Sequence, residues 1–161
     1  MESRFRYRFF SPRKTLRGAD ILPGQTVLEV GCGTGFYTVS AAQLVGDQGR
    51  LVAMDVLPMS IEQVSKKMQT ANLKNVRLVK GDALHTGLSA EIIDTVLLFG
   101  VIPSLVLPLN RLLPEMHRIL KPEGILAVWP PIPGWLPQSI LRSELFTYAS
   151  KRNGVYNFRQ C

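Results

Sequence analysis

Cysteine is nearly absent from this 161-residue chain: Cys32 and Cys161 are too few for a disulfide framework or a cysteine-built metal cluster. A reducing, cytoplasmic setting is the expectation that follows. Histidine is as scarce, leaving His85 and His117 as the available imidazole bases. No run of 18 uninterrupted apolar residues occurs, and the uncharged stretch Thr95 to Asn110 is broken by Gly100, Pro103, Ser104 and Pro108. A membrane-spanning helix is therefore not expected. The amino terminus, Met-Glu-Ser-Arg-Phe-Arg, has no apolar stretch behind it and does not read as a secretory signal. Internal repeats and low-complexity segments are also missing.

What remains is an ordinary globular composition, 46% hydrophobic and 19% charged, of a length that suits one domain over residues 1–161. The net charge of +7 is placed unevenly. Residues 1–17 hold six basic groups against Glu2, whereas residues 18–161 hold 13 basic and 11 acidic groups. The head Arg4-Phe5-Arg6-Tyr7-Arg8-Phe9 alternates between cation and aromatic. Residues 1–18 thus read as a basic arm followed by a short helix, Pro12 to Arg17, with Ser11 as N-cap and Gly18 as its stop.

From Thr26 onward, β-branched runs alternate with longer amphipathic ones. Thr26–Gly31, Arg50–Asp55, Val76–Gly81, Asp94–Phe99 and Gly124–Trp129 have the composition of strands. Asp94–Phe99, nearly all apolar, should be central. Helices are expected over Gly35–Val45, over Pro58–Ala71 and in a segment leading to Leu120, where Pro114 would kink or restart the helix. Lys121-Pro122-Glu123-Gly124 reads as a break. At the end, Leu145–Arg152 and Val155–Gln160 flank Asn153-Gly154, the signal for a two-residue hairpin, so residues 145–160 should form a terminal β-hairpin. Five strands separated by helices, then a hairpin, imply an α/β fold with a mainly parallel sheet and an antiparallel edge.

The chemistry concentrates in Val27-Leu28-Glu29-Val30-Gly31-Cys32-Gly33-Thr34-Gly35, where a strand ends and a helix begins. Glycine tolerates positive φ and lets a ligand approach the backbone closely. A dinucleotide fingerprint needs G-x-G-x-x-G, and here Phe36 stands at the third glycine's place. Hydride transfer is thereby disfavoured. Asp55 ends the second strand, 20 residues beyond Gly35, where a carboxylate can accept hydrogen bonds from ribose hydroxyls. Asp82, after the third strand, can accept from an adenine amino group. Glu29 and the two aspartates should converge on one edge of the sheet.

These residues resemble the class I S-adenosylmethionine-dependent methyltransferases, in particular the compact branch that includes quinone-biosynthesis and other small-molecule enzymes. The resemblance is carried by VLEVGCGTG at 27–35, AMD at 53–55, GDA at 81–83, DTVLLFGV at 94–101 and EMHRILKPEGILAV at 115–128. It implies a Rossmann-like, doubly wound, mostly parallel seven-stranded sheet with a C-terminal antiparallel hairpin. It also implies S-adenosyl-L-methionine as cofactor, with Glu29, Gly31, Cys32, Gly33 and Gly35 around its methionine end. Asp55 would take the ribose hydroxyls, Val56 or Leu57 would pack on adenine, Asp82 and the Ala83 amide would read the adenine edge, and Phe99 would lie beside the sulfonium.

The resemblance implies methyl transfer to a small molecule; the apolar segments Val101–Leu109 and Trp129–Pro137 read either as the lining for a lipophilic acceptor or as loops that simply cover the core. An RNA or protein methyltransferase and a non-catalytic S-adenosylmethionine-binding partner subunit stay open. Phe99-Gly100-Val101-Ile102-Pro103 is not the motif of enzymes that methylate amino groups in-plane, and the clustered acids of metal-dependent relatives are missing, so no metal is expected. No residue is assigned as a catalytic base: His117 reads as structural and His85 as a surface residue. The apolar loop Val101–Leu109 and the segment Trp129–Pro137 would lie on the acceptor side. The basic head would serve as a lid strand, a solvated tail, or a docking arm for an anionic membrane surface or RNA. The helix after it would fold against the cofactor mouth. Oligomeric state is not legible.

Overall fold

The computed structural model describes residues 11–132, 134, 135 and 137–161. The alternating basic and aromatic head, Arg4 to Phe9, lies outside them. Seven strands form one sheet: β1 (Thr26–Val30), β2 (Arg50–Asp55), β3 (Val76–Lys80), β4 (Ile93–Phe99), β5 (Leu120–Trp129), β6 (Phe146–Arg152) and β7 (Val155–Gln160). Their order is β3-β2-β1-β4-β5-β7-β6. The first five are parallel, and β7 runs antiparallel to both β5 and β6. The expected Rossmann-like sheet with its terminal hairpin is what forms.

The strand sequences explain their places. In β4, Thr95 through Phe99 are all buried, as a strand covered on both faces requires. β3 is half-exposed along its length and occupies an edge. Asn153 (φ 48°) and Gly154 (φ 80°) both adopt the left-handed backbone of a tight hairpin turn, the conformation for which Asn-Gly is selected.

Among the described residues five helices cover the sheet: α1 (Pro12–Arg17), α2 (Thr38–Val45), α3 (Pro58–Thr70), α4 (Leu109–Ile119) and α5 (Gln138–Leu141). On one face Leu28, Val30, Val52, Met54, Val96, Leu98, Leu126 and Val128 pack against Leu112, Leu113, Met116 and Ile119 of α4 and Ile140 of α5. On the other face Val27, Leu51, Leu97 and Phe99 pack with Leu16 of α1 and Ala41, Ala42 and Val45 of α2, while Ala53 packs with Val64 and Met68 of α3. The alternation along each strand assigns every second residue to one of these layers.

Several boundaries differ from the sequence expectation, each for a local reason. α2 begins at Thr38 rather than Gly35, because Gly33 (φ 53°) and Gly35 (φ 83°) hold left-handed conformations that a helix cannot contain. α4 runs unbroken through Pro114, which sits on its exposed side, so water can satisfy the carbonyl left without a donor. β5 starts at Leu120 instead of Gly124: Leu120 pairs with Ile93 and Ile125 with Thr95, and the residues between bulge out through Glu123 (φ 67°). The single turn of α5 was not anticipated.

Helix α1 forms where Ser11 and Pro12 indicated, with the Lys14 amide donating to Ser11 Oγ at 3.4 Å. None of its residues lines the cavity that holds Asp55 and Asp82. Asn153 Nδ2 donates to Lys14 O at 2.8 Å and Asn157 Nδ2 to Gly18 O at 2.7 Å, binding the helix end to the terminal hairpin. Leu16 is fully buried beneath it.

Candidate functional site

A parallel sheet whose strand order reverses leaves a crevice at the carboxyl ends of the strands beside the reversal. Here the order turns between β1 and β4. The loop leaving β1 is tied to β2, since the Gly31 and Cys32 amides both donate to Met54 O, at 2.8 and 3.0 Å. Gly31 (φ 69°) and Gly33 (φ 53°) carry this turn. A Cβ added at Gly31 would come within 2.7 Å of Val101 Cγ1, whereas one at Gly33 would meet no atom within 4 Å. Gly33 therefore faces open space, a cradle that a ligand can enter against bare backbone.

Asp55 closes the other side of that cradle. Its Oδ2 accepts from the Gly33 amide at 2.9 Å and its Oδ1 from the Leu57 amide at 3.0 Å. Each carboxylate oxygen has a second lone pair, so the half-exposed group can still accept from ligand hydroxyls. Beyond β3, Asp82 Oδ1 accepts from the Leu84 amide at 2.9 Å and Asp82 O from the His85 amide at 3.0 Å, a tight turn that holds Ala83 on the wall. The Ala83 N–H has no acceptor among the described residues, which leaves it free to donate to a ligand.

These elements enclose a cavity of about 220 Å³ lined by Val30, Gly31, Met54, Asp55, Val56, Gly81, Asp82, Ala83, Val106 and Leu107. The cavity thus gathers Gly31, Asp55, Val56, Asp82 and Ala83 from the residues named by sequence. Leu57 stands beside it with an exposed side chain and contributes its amide to Asp55. Gly33 and Gly35 complete the loop, Gly35 donating to Cys32 O at 2.8 Å.

Three named residues sit behind this surface rather than on it. Cys32 points inward among Ala53, Val64 and Met68, and burial first, then the Glu29 and Asp55 charges, push its thiol up to about 12. Glu29 is 3% exposed and accepts from Thr38 Oγ1 at 2.7 Å. Burial pushes its carboxyl up to about 7; the Thr38 hydrogen bond opposes this and the Asp55 charge adds to it. Phe99 ends β4 with its ring edge-on to Tyr37 at 5.1 Å, and it does not line the cavity.

Sequence reasoning missed Val30, Met54, Gly81, Val106 and Leu107. The first two follow from alternation, since Val30 continues the Leu28 face and Met54 the Val52 face. Val106 and Leu107 belong to the loop read as acceptor-side, yet they wall the cavity shared with Asp55 and Asp82. The histidines behave as read. His85 is exposed, with Nε2 3.2 Å from an Arg111 guanidinium nitrogen. His117 packs edge-on against Phe146 at 5.8 Å, with Nε2 3.2 Å from Cys161 O. Among the described residues no helix is long and apolar enough to cross a membrane.

Comparison with known proteins agrees with this geometry. A family profile described as a methyltransferase domain matches residues 21–156. The demethylmenaquinone methyltransferase of Bacillus cereus (strain ATCC 10987 / NRS 248) is 32% identical over 115 residues, covering 70% of this chain and 47% of that protein. The chain therefore spans about half the length of the curated relatives it matches. An S-adenosylmethionine-dependent methyltransferase from Aquifex aeolicus superimposes with a TM-score of 0.79 at 24% identity, over 99% of this chain and 93% of that one. Geranyl diphosphate C-methyltransferase from Streptomyces coelicolor A3(2), solved with Mg2+, geranyl diphosphate and S-adenosyl-L-homocysteine, shares the fold with a TM-score of 0.74. It is 15% identical, over 91% of this chain and 64% of that one.

Proposed function

The chain belongs to the class I S-adenosylmethionine-dependent methyltransferases, and from that premise we propose that it transfers the methyl group of S-adenosylmethionine to a small, lipophilic acceptor. One observation carries the reading: a glycine loop after β1 and two strand-end aspartates from β2 and β3 surround a single cavity. The residues fit the cofactor. Gly33 offers backbone with no side chain in the way, Asp55 retains acceptor capacity for ribose hydroxyls, and the Ala83 amide and Asp82 offer a donor and an acceptor to an adenine edge. Val56 and Leu107 supply apolar walls for the base.

S-adenosylmethionine, when bound, supplies a methyl group already activated by a sulfonium charge. The protein's own task is then alignment and exclusion of water, and positioning is worth roughly 7–11 kcal/mol in such displacements. Asp55 fixes the loop through Gly33 and the start of α3 through Leu57, so one carboxylate sets both sides of the cradle. Glu29, buried beneath the loop and held by the Thr38 hydroxyl, would stand behind the methionine end, where its carboxylate could pair with an ammonium group.

A lipophilic acceptor is supported by the apolar rim. Val56 and Val106 line the cavity and are largely exposed, and their sequence neighbours Leu57, Met59 and Leu105 are exposed as well. Apolar side chains gathered at a site mouth are uncommon unless an apolar partner meets them. The relatives' names, which refer to demethylmenaquinone and geranyl diphosphate, point the same way. The test offers tritiated S-adenosylmethionine with a bacterial lipid extract, with bulk tRNA and with a protein pool. Label in the lipid fraction is expected; label confined to RNA or protein, or no transfer to any pool, would overturn the proposal.

A further inference from the structure

Beyond the cofactor cavity, a second hollow of about 340 Å³ opens at the exit of β5, against the tip of the β6–β7 hairpin. Trp129, Pro131, Ile132, Trp135, Lys151 and Tyr156 are among its walls. We propose that this hollow is the acceptor subsite and that it takes a planar aromatic acid, with the ring between the tryptophans and the anionic group at Lys151. The inference rests on the methyltransferase reading above and adds the chemical class of the acceptor.

Position is the first argument. Along the carboxyl edge of the sheet, β3, β2 and β1 present Asp82, Asp55 and the glycine loop in that order, followed by β4 and β5. Neighbouring strands lie about 4.8 Å apart, so β5 stands roughly 10 Å from β1. That is about the reach of a bicyclic ring placed beside the methyl-bearing end of the cofactor. β4 and β5 are locked together at this level, with Phe99 opposite Trp129 and the Gly100 amide donating to Trp129 O at 2.8 Å.

Chemistry is the second. Two indoles and a phenol offer flat faces that favour stacking with another ring. The sequence places both of the chain's tryptophans here. The hairpin tip fits closely against one of them: a Cβ at Gly154 would lie 3.3 Å from Trp129 Nε1.

Charge is the third. Lys151 Nζ lies 4.6 Å from the centroid of the Tyr156 ring, so the cation is held over the hollow's wall. The hairpin's other cations are spoken for, Arg152 by Asp20 and Arg159 by Glu123 at 2.7 Å. Lys151 has no carboxylate within ion-pair distance among the described residues, and no acidic residue lines the hollow. An aromatic ligand with an anionic substituent would complete this arrangement; a neutral or cationic ring would leave the lysine unpaired.

The test uses the indole N–H signals of the 15N-labelled full chain, since both tryptophans report on this hollow. 2-Naphthoate and the neutral 2-naphthamide are titrated into the wild type and into Lys151→Gln. The proposal expects saturable shifts of both indole signals, at least fivefold tighter binding of the acid, and a preference reduced to within twofold in Lys151→Gln with unchanged amide affinity. Equal affinity for acid and amide in the wild type, or no indole shift with either, would overturn it. Adenosine 5′-monophosphate binding more tightly than naphthoate, with the same Lys151 dependence, would move the subsite to a nucleotide and overturn the aromatic-acid assignment. S-adenosylhomocysteine titrated into the same samples separates the two claims. Its binding without an acid preference sinks the subsite alone, whereas an acid preference without its binding sinks the methyltransferase reading and the acceptor role together.

Discussion

Replacing Glu29 by glutamine tests the deepest part of the site. The carboxyl is 3% exposed, accepts one hydrogen bond from Thr38 and is pushed up from 4.5 to about 7, chiefly by burial. A carboxyl whose value is raised on folding binds more protons in the native than in the unfolded chain between those two limits. Stability therefore falls as pH rises through that window. At 1.36 kcal/mol per pH unit, ionising Glu29 in the folded chain costs about 3 kcal/mol, fully felt above pH 7 and absent below pH 4.5. Glutamine keeps an oxygen for the Thr38 hydroxyl and carries no charge. Urea unfolding of the cofactor-free proteins at pH 5 and pH 8 should show the glutamine variant gaining about 2–3 kcal/mol relative to wild type across that interval. An ammonium group of the ligand beside Glu29 would favour the ionised form, so wild-type affinity for S-adenosylhomocysteine should rise between pH 5.5 and 7.5. The variant's affinity should stay flat. Parallel stability and affinity profiles for the two proteins would refute the reasoning.

Gly33→Ala separates binding from folding: a methyl there meets no protein atom within 4 Å, and the left-handed backbone costs about 1–2 kcal/mol. Calorimetry should show cofactor affinity down at least tenfold in a variant whose melting transition remains cooperative. Glu115 gives a pH effect of opposite sign to Glu29. Arg118, at 2.7 Å, and the Thr86 hydroxyl and amide hold its carboxyl down at about 2, against the desolvation that raises it. Its contribution is present above pH 4.5 and lost as pH falls toward 2. Urea midpoints of wild type and Glu115→Gln should therefore differ at pH 6 and draw together as pH falls toward 2.

The sheet and half of the site were legible because their signals are local. β-branched runs ending in Gly31, Asp55 and Gly81-Asp82 announce strands that stop at a shared cavity, and Asn153-Gly154 announces the hairpin by its backbone requirement alone. What stayed hidden depends on contacts distant in sequence. Nothing within Val101–Leu109 tells that Val106 and Leu107 line a cavity with residues of β2 and of the turn after β3, and nothing near Phe99 tells that its ring meets Tyr37 edge-on. The anchoring of α1 depends on Asn153 and Asn157, some 140 residues downstream. The Lys-Pro-Glu-Gly segment reads as an interruption, yet it is bridged by pairing of Leu120 with Ile93 that only the folded sheet reveals.

The claim on which the rest depends is that Asp55 and the glycine loop hold a nucleoside-bearing sulfonium. Isothermal titration of S-adenosylmethionine into the wild type and Asp55→Ala tests it most directly. The account predicts one site per chain in the wild type and at least a tenfold weaker site in the folded variant, a loss of about 1.4 kcal/mol or more. Absence of wild-type binding, or equal affinity in the two proteins, would contradict it.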